Sequence, residues 1–361
     1  MSYEKHRIKL FNKYPAISDL EAKAKKRIPH VAWEYMQTGT GREELLKKNL
    51  EAFKEITFLP RFCKGEFEPI IKTELFGQQF NAPFGIAPVG LTGLMFPKAE
   101  IFLAQTANHY QIPFSLSTVA TETPETLAPH IGNMGWFQLY PPKTKELRKA
   151  ILQRAKQAGF HTLLVTADVP VPSRRERTKR AGLQTPPKIT PQFIWQGITH
   201  PVWSFYTLLN GLPRLRTIEA HAEMKSMINV EKFVRFKFRG NLSWDYCQAL
   251  RDEWDGPIII KGILHPQDAE KSVSIGMDGI VVSNHGARQF DGAPASLKAL
   301  PAIVNAVKGK TAILFDSGIR SGLDIMRAMS LGADFVLLGS CLLYTSPSPR
   351  DRTRSRMPSS A

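Results

Sequence analysis

Cysteine is scarce in this chain: Cys63, Cys247 and Cys341 are the three in 361 residues, and no CxxC or metal-ligand spacing links them. A disulfide framework and a zinc-ribbon fold are thereby excluded, and a reducing compartment is expected. Acidic residues are also in deficit, 32 Asp+Glu against 48 Lys+Arg, which leaves a formal charge of +16. No run of about 18 apolar residues could span a bilayer, and no signal peptide opens the chain. P-loop, GxGxxG, HExxH and GxSxG patterns are missing too. Nucleotide hydrolysis, Rossmann-type NAD binding, zincin and esterase chemistry therefore have no support. What remains is a protein of the cytosol or of a membrane face, whose positive charge calls for an anionic partner: nucleic acid, an anionic membrane surface or an anionic substrate.

What the chain does have is a rhythm. Its hydrophobic content of 43% supplies a large core, enough for one α/β barrel or two ordinary domains. The stretch "SDLEAKAKKRIPHVAWEYMQTGTG" reads as a helix with a capping box from Ser18 to Glu21, a kink at Pro29 and a stop at Gly39. Eight short apolar runs then alternate with helical patterns: "PFGIAP", "IPFSLST", "WFQLY", "TLLVTAD", "PIIIKG", "GIVVSNH", "AILFDSG" and "FVLLGS". Strands that are apolar on both faces belong in a parallel sheet, and eight of them close a (β/α)8 TIM barrel. A doubly wound open sheet is the alternative. Polar residues at the carboxyl ends of the runs favour closure, because barrel enzymes build their sites there.

The interval between "TADVP" and "PIIIKG" breaks this rhythm. Residues 172–240 carry 13 Lys+Arg against 4 Asp+Glu and are rich in proline and aromatics. They read as a long insertion after strand four, not as a domain with its own core. The segment is either a packed or disordered surface loop or a membrane-surface patch. In the second case Phe193, Trp195, Trp203, Phe205 and Tyr206 lie in the interface and Arg/Lys face anionic lipid. No recognition module accompanies the charge, which argues against nucleic acid.

The most informative string is "SNHGARQ", Ser283–Gln289. A histidine at a strand end, with an arginine three residues on, can set a proton acceptor beside a carboxylate clamp. A lone histidine in such a place is commonly a structural hydrogen-bonder. Asp168 is a candidate to orient the His285 imidazole, and "SRRER" offers Arg175 as a second carboxylate ligand, with Arg174 and Arg177 read as solvated charges. Lys261 ends an apolar strand and either snorkels or faces an anionic cofactor. "FDSGIRSG" and "VLLGS" close strands seven and eight, where barrels often bind phosphate, with Arg320 as the ligand.

These strings, with "IAPVGLTGL", "FSLSTV", "WFQLY", "TADVP", "IIKG" and "DSGIRSGLDI" in order, resemble the FMN-dependent L-2-hydroxy acid dehydrogenase/oxidase family from about Tyr14 to Gly339. "THPVWSFYTLLNGLP" and "LRDEWDGPIIIKGIL" are most similar to its bacterial respiratory L-lactate dehydrogenase branch. The resemblance implies FMN as cofactor and His285 as base, with Asp168 as its carboxylate partner. Arg175 and Arg288 would clamp the substrate carboxylate, Tyr35 would add a hydroxyl, and Tyr140 would face the substrate hydroxyl. Lys261 would sit at the flavin N1–O2 edge. Ala87, Pro88, Val89, Gly90, Ser117, Gln138, Thr166 and Ser283 would meet the ring or ribityl chain. Asp316, Gly318, Arg320 and Gly339 would hold the ribityl and phosphate end. The implied reaction is L-lactate to pyruvate, with electrons passed through FMN to a membrane quinone or cytochrome. The implied setting is the cytoplasmic face of the inner membrane, and the implied assembly a homo-oligomer, a tetramer by family.

Two departures bear on this. Val119 stands where glycolate oxidase has tryptophan, so the substrate pocket is expected to differ; Gly90 stands where the oxidases commonly carry alanine, which points to a dehydrogenase. An oxidase producing H2O2 from O2 is the same-fold alternative, and an inactive lipid- or RNA-binding chain the alternative of another class. The chain ends in "CLLYTSPSPRD" and "SRMPSSA", which match a translated sequencing adapter. Residues 340–361 are therefore expected to be a non-native tail on a 1–339 dehydrogenase domain that lacks its last barrel helix, with a family arginine lost at Ser340.

Overall fold

The computed structural model describes residues 8, 11–183, 190–221 and 242–344. Its eight parallel strands are the eight apolar runs. They follow a short antiparallel hairpin of β1 (Thr73–Leu75) and β2 (Gln78–Phe80). The barrel strands are β3 (Phe84–Ile86), β4 (Phe114–Ser117), β5 (Gly135–Leu139), β6 (Thr162–Thr166), β7 (Ile258–Ile263), β8 (Gly279–Val282), β9 (Ala312–Phe315) and β10 (Phe335–Leu338). They pair in chain order, and β10 returns to β3 to close the barrel. Closure explains why β4, β5, β6, β8 and β10 are buried at every position: helices cover one face and the barrel interior fills the other.

The hairpin was not evident in the sequence. It turns on Phe76 and Gly77, both at positive φ (55° and 73°), the two-residue turn whose twist suits antiparallel strands. Its aromatic side chains plug the amino-terminal mouth of the barrel. Trp136 lies 6.2 Å from Phe76, 6.1 Å from Phe80 and 6.0 Å from Phe335, centroid to centroid.

Near the N-terminus there are two helices, Ile17–Arg27 and His30–Gln37, instead of one kinked helix. The residue before a proline is pushed out of the helical region, and Ile28 accordingly sits at φ −105°, ψ 148°. Ser18 lies inside the first helix. The reciprocal capping bond is made by Asp19, whose carboxylate accepts from the Ala16 N–H at 2.9 Å.

The described parts of the insertion contain the short helices Glu176–Arg180, Pro191–Thr199, Pro201–Asn210 and Arg216–Glu219. The aromatic set expected at a membrane interface divides. Trp203 is buried and donates its indole N–H to the Leu94 carbonyl at 2.9 Å, Tyr206 packs on Phe96, and Phe193 leans on the core. Trp195 and Phe205 stay exposed, joined by Ile194, Ile198, Val202, Leu208, Leu209 and Leu212. Helical spacing explains the split, since only one face of each helix can meet the barrel. Residues 184–189 and 222–241 of the insertion lie outside the described residues.

After β10 a single helical turn, Ser340–Leu343, carries Cys341, Leu342 and Leu343 into the core. Tyr344 stacks on Trp33 at 6.3 Å, and its hydroxyl is 2.6 Å from the Gln37 amide nitrogen. Packing therefore continues to Tyr344, past the expected tail boundary, and most of that expected tail, 345–361, lies outside the described residues.

Because Trp136 is fully buried and touches three rings, Trp136→Ala should lower the unfolding free energy by about 3–5 kcal/mol in chemical denaturation.

Candidate active site

The polar strand ends converge on one cavity of about 410 Å³ at the carboxyl mouth of the barrel. Most of the residues singled out from the sequence line it: Tyr35, Ala87–Gly90, Gln138, Tyr140, Thr166, Arg175, Lys261, His285, Arg288, Asp316, Gly318, Arg320 and Gly339. Three do not. Asp168, Ser117 and Ser283 sit one layer back, and each holds a residue that does line the cavity. The Asp168 carboxylate is 2.8 Å from His285 Nδ1, Ser117 donates to Gln138 Oε1 at 2.7 Å, and Ser283 accepts from Lys261 Nζ at 2.7 Å. Both serines therefore support residues of the cavity wall through their hydroxyls.

His285 lies just past β8 in the left-handed region (φ 57°), and Gly286 and Ala287 follow at 61° and 62°. The turn is pinned by hydroxyls: His285 N–H donates to Ser283 Oγ and Gly286 N–H to Ser317 Oγ, each at 3.1 Å. With Nδ1 against Asp168, Nε2 is left on the side of Tyr140, whose hydroxyl is 3.5 Å away. Burial alone would raise the Asp168 pKa, but the charge and hydrogen bond of His285, with Lys261 behind, hold the carboxyl below its ordinary value. Burial instead pushes the Tyr140 phenol well above its ordinary value, with the Asp168 charge adding to it, so the phenol stays protonated.

Lys261 is 4% exposed. Burial would lower its pKa, yet Asp316 at 2.7 Å and Asp168 raise it, and it remains an ammonium. Gln138 is clamped between Ser117 and, at 2.8 Å, Thr166. Tyr35 donates to the Gly90 carbonyl at 3.1 Å, and the guanidinium groups of Arg175 and Arg288 stand 5.0 and 5.9 Å from its ring centre. Burial first, then the Arg175 charge, bring Arg288 down to about 10.

The two departures noted in the sequence meet in space. A Cβ placed on Gly90 would lie 2.6 Å from Val119 Cγ2, so the absent side chain and the valine fill one volume between them.

Several supporting residues carried no signal in sequence. Arg177, read as a solvated charge, bridges Glu34 and Glu43 at 2.8 Å each, and Thr38 pairs with Thr178 at 2.7 Å. These contacts tie the arginine-bearing loop after β6 to the helix carrying Tyr35. Glu34, an acid in an otherwise apolar buried helix, was the one available hint.

The donor set suits a flavin mononucleotide. A buried ammonium (Lys261) and a fixed carboxamide (Gln138) would suit the polar edge of its ring, and Arg320 with the Gly318 loop would suit its phosphate. A Cβ on Gly339 would stand 3.7 Å from Ala87 Cβ and 3.9 Å from Val89 Cγ2, in ordinary contact with the residues after the first barrel strand. Among the described residues no cluster of three or more His, Cys, Asp or Glu could hold a metal ion.

A parallel barrel with a histidine–carboxylate pair and an anion-binding rim at its carboxyl mouth is the frame of a flavin-dependent 2-hydroxy acid oxidoreductase. The chain belongs to the FMN-dependent dehydrogenase family, whose profile matches residues 24–347. Among solved structures it is similar to the monotopic membrane protein (S)-mandelate dehydrogenase, at 30% identity and a TM-score of 0.87 over 94% of this chain and 89% of that one. It is likewise similar to mandelate oxidase, at 29% identity and a TM-score of 0.78 over 94% and 90% of the two chains. For mandelate oxidase with (S)-4-hydroxymandelic acid the TM-score is 0.80 at the same identity.

Asp168 has a depressed folded-state pKa, so its contribution to stability is present above its ordinary value of 3.8 and is lost as pH falls through the folded value. In acid-unfolding titrations, Asp168→Asn should therefore show a shallower loss of stability below pH 3.8 than the parent.

Proposed function

We propose that this chain oxidises an L-2-hydroxy acid, L-lactate to pyruvate, with His285 as the base, and passes the electrons to a membrane quinone or cytochrome. The observation that carries the reading is the His285–Asp168 contact at 2.8 Å, which leaves Nε2 facing the cavity beside Tyr140. The substrate carboxylate is held between Arg175 and Arg288, as a planar fork–fork pairing allows. Its hydroxyl then lies toward His285 Nε2, which takes the proton while Asp168 stabilises the imidazolium. Tyr140, kept protonated, donates to the same oxygen. Bound FMN supplies the two-electron acceptor, and Lys261 would offset negative charge on it. Ala87–Gly90, Gln138, Thr166 and Asp316 would hold the ring and ribityl chain, and Gly318, Arg320 and Gly339 the phosphate.

Similarity to (S)-mandelate dehydrogenase and mandelate oxidase favours a second substrate reading, an aromatic 2-hydroxy acid. Anaerobic bleaching of the flavin by a panel of L- and D-acids tests both. L-Lactate should reduce it, D-acids should not, and His285→Ala should slow reduction roughly 10²–10⁴-fold. Mandelate acting far better than lactate would move the assignment to the second reading, and bleaching by no L-acid would remove it. Oxygen uptake during turnover would indicate the oxidase alternative, and purified protein without flavin absorbance the inactive binding protein.

A membrane setting is supported by the apolar face that Ile194, Trp195, Ile198, Val202, Phe205, Leu208 and Leu209 present on two successive helices, inside the most basic part of the chain. A contiguous face of this kind beside excess Lys and Arg suits the surface of an anionic bilayer. No helix among the described residues is long and apolar enough to cross a membrane. The paired change Trp195→Ser, Leu208→Ser should abolish co-sedimentation with anionic vesicles and spare activity with a soluble dye acceptor. A homo-oligomer would cover a second exposed apolar stretch, Leu59, Phe62, Phe67 and Ile70.

A further inference from the structure

The turn that carries His285 runs through three successive left-handed residues, two of them not glycine, a conformation that side chains disfavour. Something outside the turn must hold it, and the hydroxyls of Ser283 and Ser317 reach only the N–H groups of His285 and Gly286. Two further anchors act on the turn: the Thr40 N–H donates to the Ala287 carbonyl at 3.0 Å, and Asn284 holds the turn through its side chain. Its side-chain oxygen accepts from the Ala287 N–H at 3.2 Å, and its amide nitrogen donates to the Pro294 carbonyl at 3.1 Å. The rest of its capacity goes to one residue 235 positions earlier. Asn49 Nδ2 donates to Asn284 Oδ1 at 3.0 Å, and Asn284 Nδ2 donates to Asn49 Oδ1 at 2.7 Å. This reciprocal pair is buried, with Asn49 2% and Asn284 4% exposed.

Asn49 also touches the other functional loop. A Cβ on Gly318, at φ 98° after β9, would stand 2.7 Å from the Asn49 carbonyl oxygen, so the helix Glu44–Lys54 seats its backbone there only because that side chain is missing. One residue of the N-terminal helical segment thus braces the turn bearing the base by its side chain and the loop at the phosphate end by its backbone.

We infer that Asn49 is a positioning residue for His285: its paired amide fixes Asn284, Asn284 fixes the left-handed turn, and the turn sets the imidazole against Asp168. This rests on the proposed role of His285 as base and adds a residue that touches neither substrate nor cofactor. Asn is required because the pair needs one donor and one acceptor on each side. Leucine offers neither, and aspartate keeps only the acceptor.

The test is steady-state kinetics on flavin-loaded enzyme, per bound flavin, for the parent, Asn49→Leu, Asn49→Asp, Asn284→Ala and the Asn49→Leu/Asn284→Ala double variant, with a dye acceptor. Asn49→Leu should lower kcat roughly 10- to 100-fold with little change in KM. The acidic limb of the kcat profile should move to lower pH, because a loosened Asp168 contact no longer stabilises the imidazolium. Asn49→Asp should fall between, and the double variant should be no worse than the poorer single one. An unchanged kcat and pH profile in Asn49→Leu, or in Asn49→Asp and Asn284→Ala where the leucine variant does not fold, overturns the inference. A loss confined to thermal stability or flavin content overturns it equally. A parent inactive on every L-acid would instead bring down the functional reading, and this positioning role with it.

Discussion

Lys261 is an ammonium in the carboxyl half of β7 with almost no contact with water, and taking a charge out of water costs several kcal/mol unless partners replace the solvent. Its partners come from the next two strands: Ser283 just past β8 and Asp316 just past β9, each at 2.7 Å. The same serine accepts the His285 N–H, and the Asp316 carboxylate accepts from Ser317, whose hydroxyl receives the Gly286 N–H. Satisfying one buried cation therefore organises three consecutive strand ends and the turn that carries the histidine. Closure of the barrel is what makes this possible, since only adjacent parallel strands in register bring Thr166, Lys261 and Val281 side by side.

Much of this was legible in the sequence. Strands apolar on both faces announce themselves as short runs of Ile, Val, Leu and Phe, and five successive runs, from "WFQLY" to "AILFDSG", ended in polar residues that line the cavity or stand directly behind it. The hairpin was missed because "TELFGQQF" alternates weakly and its turn uses phenylalanine at positive φ, where a small residue is the usual sign. The supporting layer was illegible for a different reason. Asn49 and Glu43 look like ordinary polar positions on and before a helix, and only tertiary packing reveals that their partners lie more than 100 positions away. Periodicity reports which face of an element is buried, not which polar group waits on the other side.

The insertion shows the same limit. Composition marked it as basic and aromatic, and both properties suit an interface. Yet the largest aromatic in the helix Pro201–Asn210, Trp203, points inward, its indole N–H donating to the Leu94 carbonyl at 2.9 Å. The exposed face is built chiefly from aliphatic residues, which composition alone could not assign to one side. Buried aromatics fasten these helices to the barrel and so hold the aliphatic face outward in a fixed orientation.

The rim of the cavity is arranged against itself. Arg175 and Arg288 approach the same Tyr35 ring, and among the described residues neither has a carboxylate partner in a salt bridge. Arg288 spends hydrogen bonds on the Met36 carbonyl and the Ser340 hydroxyl, which are neutral acceptors. Burial, with the neighbouring guanidinium adding to it, brings the Arg288 pKa down to about 10. Elsewhere in the chain arginine is treated differently: Arg148 and Arg177 are each matched by glutamate. Unmatched cations at the mouth and matched ones in the framework divide the labour between binding and stability. An anion entering between Arg175 and Arg288 would relieve their repulsion, and the proposed recognition of a substrate carboxylate would draw on charges the fold leaves uncompensated.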